Sequence, residues 1–224
     1  MVYILNRDDL TFPDPKKTDK SGLLAIGGDL NPKRLINAYE NGIFPWPHEN
    51  YPLLWFSPPK RAVLYPENMK ISTSLKKNIR RYEIKFDTNF EQVIKNCSTV
   101  KRKDKGTWIN HDMINAYIKL FELGVAHSVE TYFEDRLIGG LYGVSIGNIF
   151  CGESMFSEKS DASKVALFAL CELYKKFDGV IDAQNQNDHL KSLGVVEISK
   201  IKYLKILNNA KIKQNPFSIF YHKN

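Results

Sequence analysis

The sequence predicts an α+β chain: a small N-terminal α+β domain over residues 1–61, then a larger domain over residues 62–224 built on a mixed, mainly antiparallel sheet. Three observations predict this. Residues 1–60 are rich in Pro and Gly and hold only short apolar stretches. Beyond them, three strand-like runs follow one another across tight turns, the pattern of an antiparallel meander. A long helix and a short buried strand come after the meander.

In the N-terminal part, Ser21 to Leu30 reads as a turn, a short apolar stretch and another turn. The Gly27-Gly28 pair lacks the spacing of a dinucleotide or phosphate loop and is turn chemistry. Asn31 caps a helix and Pro32 takes its first position, where a missing N–H costs nothing. Leu35, Ile36, Ala38 and Tyr39 give that helix an apolar face, and Asn41-Gly42 stops it. Ile43 to His48 carries too many prolines for a central strand, and Leu54 to Pro59 is similar.

From residue 62 the elements lengthen. Ser72 or Thr73 caps a helix that runs through the cations of residues 76–81. Tyr82 to Phe86 is a strand. Phe90, Val93, Ile94 and Cys97 recur at helical spacing, and His111 to Leu123 is a second amphipathic helix ended by Gly124. Ala126–Phe133, Leu137–Ile146 and Ile149–Met155 form the meander, with turns at Glu134-Asp135-Arg136 and Gly147-Asn148. Ser160 or Asp161 caps a long helix over Ala162–Lys176. Val180-Ile181-Asp182-Ala183 is a short buried strand, and His189 to Leu193 is helical up to Gly194.

Bulk properties narrow the function classes. Hydrophobic residues make up 43% and charged residues 25%, the balance of a folded globular chain. No apolar run approaches the roughly 20 residues that span a bilayer, and MVYILNRDDLTFPDP lacks the layout of a secretion signal. Cys97, Cys151 and Cys171 are far apart and form no CxxC or Cys/His cluster, so neither a metal site nor a disulfide framework is expected. A cytoplasmic location follows as an expectation. The net charge of +7 is concentrated. Lys76, Lys77, Arg80 and Arg81 form one cluster, Lys101, Arg102, Lys103 and Lys105 a second, and the C-terminal lysines a third. Such clusters neutralise phosphates, and no base-reading motif accompanies them.

The candidate chemistry sits in two apolar runs that end in polar side chains. One is Phe150-Cys151-Gly152-Glu153-Ser154-Met155-Phe156-Ser157; the other is Ile181-Asp182-Ala183-Gln184. Carboxylates and an amide at strand ends are costly to desolvate unless they bind something. Two such ends in one sheet converge on a pocket, or else each is hydrogen-bonded to its own loop.

Helices, a meander, a long helix and one more strand make up the element order of a GNAT-like acyltransferase domain. That is an analogy at the level of fold. A more specific resemblance lies in ten pieces in fixed order: GLLAIGGDL (22–30), NGIFPWP (41–47), WFSPPKRAVL (55–64), GTWIN (106–110), ELGVAHSVE (122–130), GGLYGV (139–144), FCGESMFS (150–157), ASKVAL (162–167), IDAQ (181–184) and HLKSLG (189–194). In this respect the chain resembles the leucyl/phenylalanyl-tRNA–protein transferase family.

The resemblance implies transfer of Leu or Phe, with Met a further candidate, from aminoacyl-tRNA to the α-amino group of proteins that begin with Arg or Lys. It implies that the product enters N-degron degradation. No cofactor and no metal are implied, because the aminoacyl ester is already activated. A monomer acting away from membranes is expected. Catalytic roles carry over to Asp182 and Gln184, with Glu153 adding negative charge for the cationic acceptor. Gln184 accepts a hydrogen bond from the attacking amine, and Asp182 orients it or takes the proton itself. Trp46 and Trp108 match positions that stack on the 3′-terminal adenosine. Phe150, Met155 and Leu170 line the side-chain pocket or pack the core. Lys76, Lys77, Arg80 and Arg81 hold the acceptor stem. The family often has an aromatic residue near Leu170 and Cys at Ala183, departures that bear on the pocket.

Two other readings compete. A CoA-dependent N-acetyltransferase needs a Gly-rich pyrophosphate loop before the long helix, where this chain has SEKSDAS (157–163). A non-catalytic RNA-binding protein would use the basic clusters alone.

Overall fold

The computed structural model describes residues 2–48, 51–100 and 109–221. Strands β1 (Tyr3–Leu5), β2 (Leu23–Gly27), β3 (Phe44–His48) and β4 (Tyr51–Phe56) form a four-stranded sheet in the order β1-β2-β4-β3. The proline-bound segment, β3, takes an edge as expected. Leu54–Pro59 needs a correction, because β4 is an internal strand. Pro58 and Pro59 lie past its end at Phe56, and Pro52 lies outside the residues that pair with β2, so no ladder donor is lost between them. Helix α1 (Pro32–Glu40) starts as anticipated: the Asn31 side chain accepts the Lys33 N–H, with Pro32 at the first turn. Gly42, at φ +70°, ends the turn that follows it.

A seven-stranded sheet carries the rest of the chain. Its strands are β5 (Lys60–Leu64), β6 (Glu83–Phe86), β7 (Ala126–Phe133), β8 (Arg136–Ile146), β9 (Ile149–Ser157), β10 (Val180–Gln184) and β11 (Val196–Ser199). Their order is β11-β5-β10-β9-β8-β7-β6. The meander β7–β8–β9 is antiparallel as expected, and β9 pairs with β10 in parallel. Sequence reasoning missed β5 and β11, which close the sheet on the far side of β10.

The helices are α2 (Thr73–Ile79), α3 (Phe90–Thr99), α4 (His111–Glu122), α5 (Ala162–Lys175), α6 (Asp188–Ser192) and α7 (Lys200–Ala210). Alternation along the strands splits the core into two layers. Val63, Val144, Cys151 and Val180 face α1, α3, α4 and α7, in one layer that also takes in Leu24, Phe44 and Trp55 from the small sheet. Leu64, Leu141, Phe150 and Ile181 face α5. One apolar core therefore joins the two sheets and fixes α1 against the large one.

The start of α5 also departs from expectation. Asp161 occupies the capping position at φ +61° but makes no side-chain cap. Ser157 does this instead, accepting the Ser163 N–H at 2.8 Å. The Asp161 carboxylate accepts from Ser74, Asn78 and Lys164, and the Ser74 hydrogen bond is the main reason its pKa lies below the usual range. Among the described residues no helix is long and apolar enough to cross a membrane.

Candidate active site

The parallel pairing of β9 and β10 runs from Val180 opposite Ile149 to Asp182 opposite Cys151 and ends there. Both strands change register at that point. On β9, Gly152 opposes Gly143 and Ser154 opposes Tyr142, so Glu153 is the extra residue. On β10, Asp182 opposes Val63 and Gln184 opposes Ala62, so Ala183 is the extra residue. A bulge re-aims the side chains beside it, and here two bulges bring two side chains together. Gln184 Nε2 donates to Glu153 Oε1 at 2.6 Å.

Gln184 has φ +61°, in the left-handed region, which costs a non-glycine residue about 1–2 kcal/mol. Its backbone N–H compensates by donating to Asp182 Oδ1 at 2.8 Å. Asp182 is fully buried. Arg61 donates to it from Nε to Oδ1 at 2.7 Å and from Nη2 to Oδ2 at 2.6 Å, and the Tyr203 hydroxyl donates to Oδ2 at 2.7 Å. Those four donors fill the carboxylate. Asp182 therefore fixes the backbone of Gln184 and has no oxygen turned to an incoming amine.

Arg61 is buried between two rings, 4.7 Å from the Phe44 centroid and 4.5 Å from that of Tyr203. Its Nη1 donates to the Gly42 carbonyl at 3.1 Å. Burial pushes the guanidinium pKa down, but the Asp182 charge more than offsets this and the net shift is upward.

Glu153 keeps a partly exposed edge while its carboxylate is ringed by polar groups. Tyr39 donates to Oε1 at 2.7 Å and Tyr117 to Oε2 at 3.2 Å, and the two hydroxyls also touch each other. Desolvation raises its pKa, hydrogen bonds from Tyr39, Tyr117 and Gln184 pull it back, and the balance is about 7.

The structure thus brings Glu153, Gln184 and Asp182 together. It places Phe150 and Leu170 elsewhere, fully buried on the α5 side of the sheet, with Phe150 packed against Tyr174 and Phe217. Met155, partly buried, joins the same apolar layer. Trp46 is 39% exposed on β3, with Phe44 and Phe56 on its inner side. Trp108 and the cluster of Lys101, Arg102, Lys103 and Lys105 lie outside the described residues. Lys76, Lys77, Arg80 and Arg81 lie at the surface. Arg81 and Lys159 flank the Phe133 ring at 4.4 and 4.1 Å, so Lys159 extends that basic surface.

Four residues of the cluster escaped sequence reasoning: Arg61, Tyr203, Tyr39 and Tyr117. Tyr39 was visible only as part of an apolar helix face. Tyr203 lies in the lysine-rich C-terminal stretch, where its spacing from Leu207 and Ala210 was the available signal of a buried helix face.

A mixed sheet whose parallel pair separates beside a buried carboxylate–amide cluster, with a long helix packed on one face, gives the chain the α+β element order of a GNAT-like domain. The family model described as leucyl/phenylalanyl-tRNA protein transferase matches residues 63–208, and the model of that family's N-terminal domain matches residues 28–59. The curated leucyl/phenylalanyl-tRNA–protein transferase of Sulfurimonas denitrificans is 47% identical, with 100% of this chain and 96% of the relative aligned. That of Escherichia coli O157:H7 is 46% identical, over 95% of this chain and 92% of the relative. The chain belongs to the leucyl/phenylalanyl-tRNA–protein transferase family. Among solved structures, a conserved protein from Bacteroides thetaiotaomicron superposes with a TM-score of 0.44 at 12% identity, covering 64% of this chain and 55% of that one, too distant a likeness to bear on function.

Proposed function

We propose that the protein transfers Leu or Phe from charged tRNA to the α-amino group of proteins beginning with Arg or Lys. The observation that carries this reading beyond family membership is the Glu153–Gln184 pair at the strand divergence. Aminolysis of an ester needs a neutral, aimed amine and an acceptor for one proton. Because Gln184 Nε2 faces Glu153, its Oε1 is turned away and is available to accept from the amine N–H. Glu153, with a pKa near 7, takes the proton that the α-ammonium group must lose. Its charge also suits a cationic first residue. Asp182 acts by position, holding the Gln184 backbone.

As nitrogen attacks the ester carbonyl carbon, the C–O bond to the terminal ribose breaks and the leaving oxygen takes up a proton. The activated ester supplies the driving force. Trp46 and Trp108 stack on the terminal adenosine, and Met155, partly buried, lines the pocket for the Leu or Phe side chain, while Phe150 and Leu170 pack the core of the same apolar layer. Lys76, Lys77, Arg80 and Arg81 neutralise acceptor-stem phosphates. The protein works as a cytoplasmic monomer, and its products enter N-degron degradation. The acetyltransferase alternative finds no support at the start of α5, where an ionised Asp161 stands instead of a Gly-rich anion cradle.

The test is transfer of radiolabelled Leu or Phe from charged tRNA to a peptide beginning with Arg, beside the same peptide acetylated at its N-terminus. Label on the free peptide alone is the expected result. Label on neither overturns the proposal. Gln184→Ala and Glu153→Ala should each lower turnover by about a hundredfold.

A further inference from the structure

We propose that Arg61 and Tyr203 are positioning residues of the transfer reaction, acting through Asp182 to aim the Gln184 side chain. The proposal rests on the reading of Gln184 as the group that meets the amine.

The connection is continuous. Asp182 Oδ1 accepts from Arg61 Nε and also from the backbone N–H of Gln184. The residue that carries the reacting amide is thus tied to the atom that the guanidinium fixes. Oδ2 is fixed in the same way by Arg61 Nη2 and the Tyr203 hydroxyl. Gln184 needs such a tether, because its left-handed backbone is not what a glutamine adopts unaided. Released from Asp182, the residue would relax and its amide would leave Glu153.

The clamp reaches the other substrate side as well. Arg61 Nη1 holds the Gly42 carbonyl at the entry to β3, and the guanidinium lies over Phe44. Phe44 and Trp46 are two apart on one strand, share a face and stand 6.5 Å apart. Tyr203, on α7, also lies against the guanidinium, its ring centroid 4.5 Å away. A side chain added at Gly42 would meet Leu204 at 2.8 Å and Tyr203 at 3.1 Å, so α7 sits directly on this turn. One guanidinium therefore sets β10, where the acceptor amine is met, relative to β3, where the donor base stacks. An ion pair that served only folding would not need to share an oxygen with the reactive residue.

A structural and a positioning role are separated by how losses combine. Residues that act through one group lose activity non-additively, whereas independent effects multiply. The experiment measures kcat, KM for both substrates and Tm for Tyr203→Phe and Arg61→Lys, each alone and in a Gln184→Ala background. Tyr203→Phe keeps the ring over Arg61 and removes one hydroxyl, so its Tm falls by only a few degrees and the fold survives. The expected result for Tyr203→Phe is a fall in kcat of about tenfold with little change in KM, and a larger fall for Arg61→Lys. Neither substitution should lower kcat further once Gln184 is Ala. Losses that multiply in that background, or an unaffected kcat in Tyr203→Phe, overturn the positioning role and leave the Gln184 assignment standing. Full activity of Gln184→Ala itself overturns both.

Discussion

The Gln184 amide donates to the Glu153 carboxylate at 2.6 Å across the point where β9 and β10 stop pairing. That hydrogen bond sets the polarity of the site. An ionised carboxylate only accepts, so the amide nitrogen must face it and the amide oxygen must face away. Glutamine thereby presents an acceptor to the incoming amine, with a group able to hold a proton directly behind it.

Turnover should rise with pH through the Glu153 pKa. With the group balanced at about 7, the protonated form that dominates below that pH cannot accept from the amine complex. In a profile of kcat at saturating substrates, the wild type should inflect near neutrality. Glu153→Gln should be slower and lack that inflection. An unchanged inflection in Glu153→Gln would assign the titration to another group.

The same residue makes stability depend on pH, with the opposite sense. Its folded-state pKa lies above the unfolded value of 4.5, so the folded state binds more protons between 4.5 and about 7. The stabilisation is complete below the unfolded pKa and is lost as pH rises through the folded one, a change of about 3 kcal/mol. Tm measured from pH 5 to 8 should therefore fall more steeply for the wild type than for Glu153→Gln. Parallel curves would sink the assignment.

Asp182→Ala should be costly to the fold as well as to activity. It strands a buried guanidinium, a loss of about 3–5 kcal/mol for a broken buried pair. Replacing both partners together, as Arg61→Met with Asp182→Leu, should recover most of that stability while turnover stays low. Urea unfolding of the single and double variants, run beside the transfer assay, measures both. If the double variant is as unstable as the single one, stranding of the charge is not the cause.

Much of the fold was legible because its signals are local. The meander shows as strand runs separated by tight turns, and α1 shows in Asn31, Pro32 and Gly42. The pairing of Arg61 with Asp182 has no local signature, since 121 residues separate them. Neither do the bulges. Glu153 and Gln184 were readable as polar strand ends, but which way each points depends on one extra residue per strand, set by partners far along the chain. Tyr39 and Tyr117 were readable as buried helix positions. Only the structure gives their hydroxyls a common carboxylate.

The basic surface should report itself through salt. If Lys76, Lys77, Arg80 and Arg81 neutralise phosphates, replacing all four with Gln should weaken tRNA affinity and flatten the dependence of log K on log salt, by about 0.7–0.9 for each phosphate no longer neutralised. The α2 fold should survive, because these side chains lie at the surface and the buried anchor of the helix is Leu75. A slope equal to that of the wild type would move the tRNA surface elsewhere.

Trp46 offers the sharpest separation of binding from folding. Its ring is 39% exposed at the edge strand of the small sheet, with Phe44 and Phe56 behind it. Truncation therefore removes little core packing and should shift Tm only slightly. Stacking on a base contributes about 1–3 kcal/mol, so Trp46→Ala should raise KM for aminoacyl-tRNA by about 5- to 150-fold and leave KM for the acceptor peptide unchanged. Trp46→Phe keeps an aromatic face and should recover part of the loss. If Trp46→Ala instead lowers Tm strongly and raises both KM values alike, the ring belongs to the packing of β3, and the donor base stacks elsewhere.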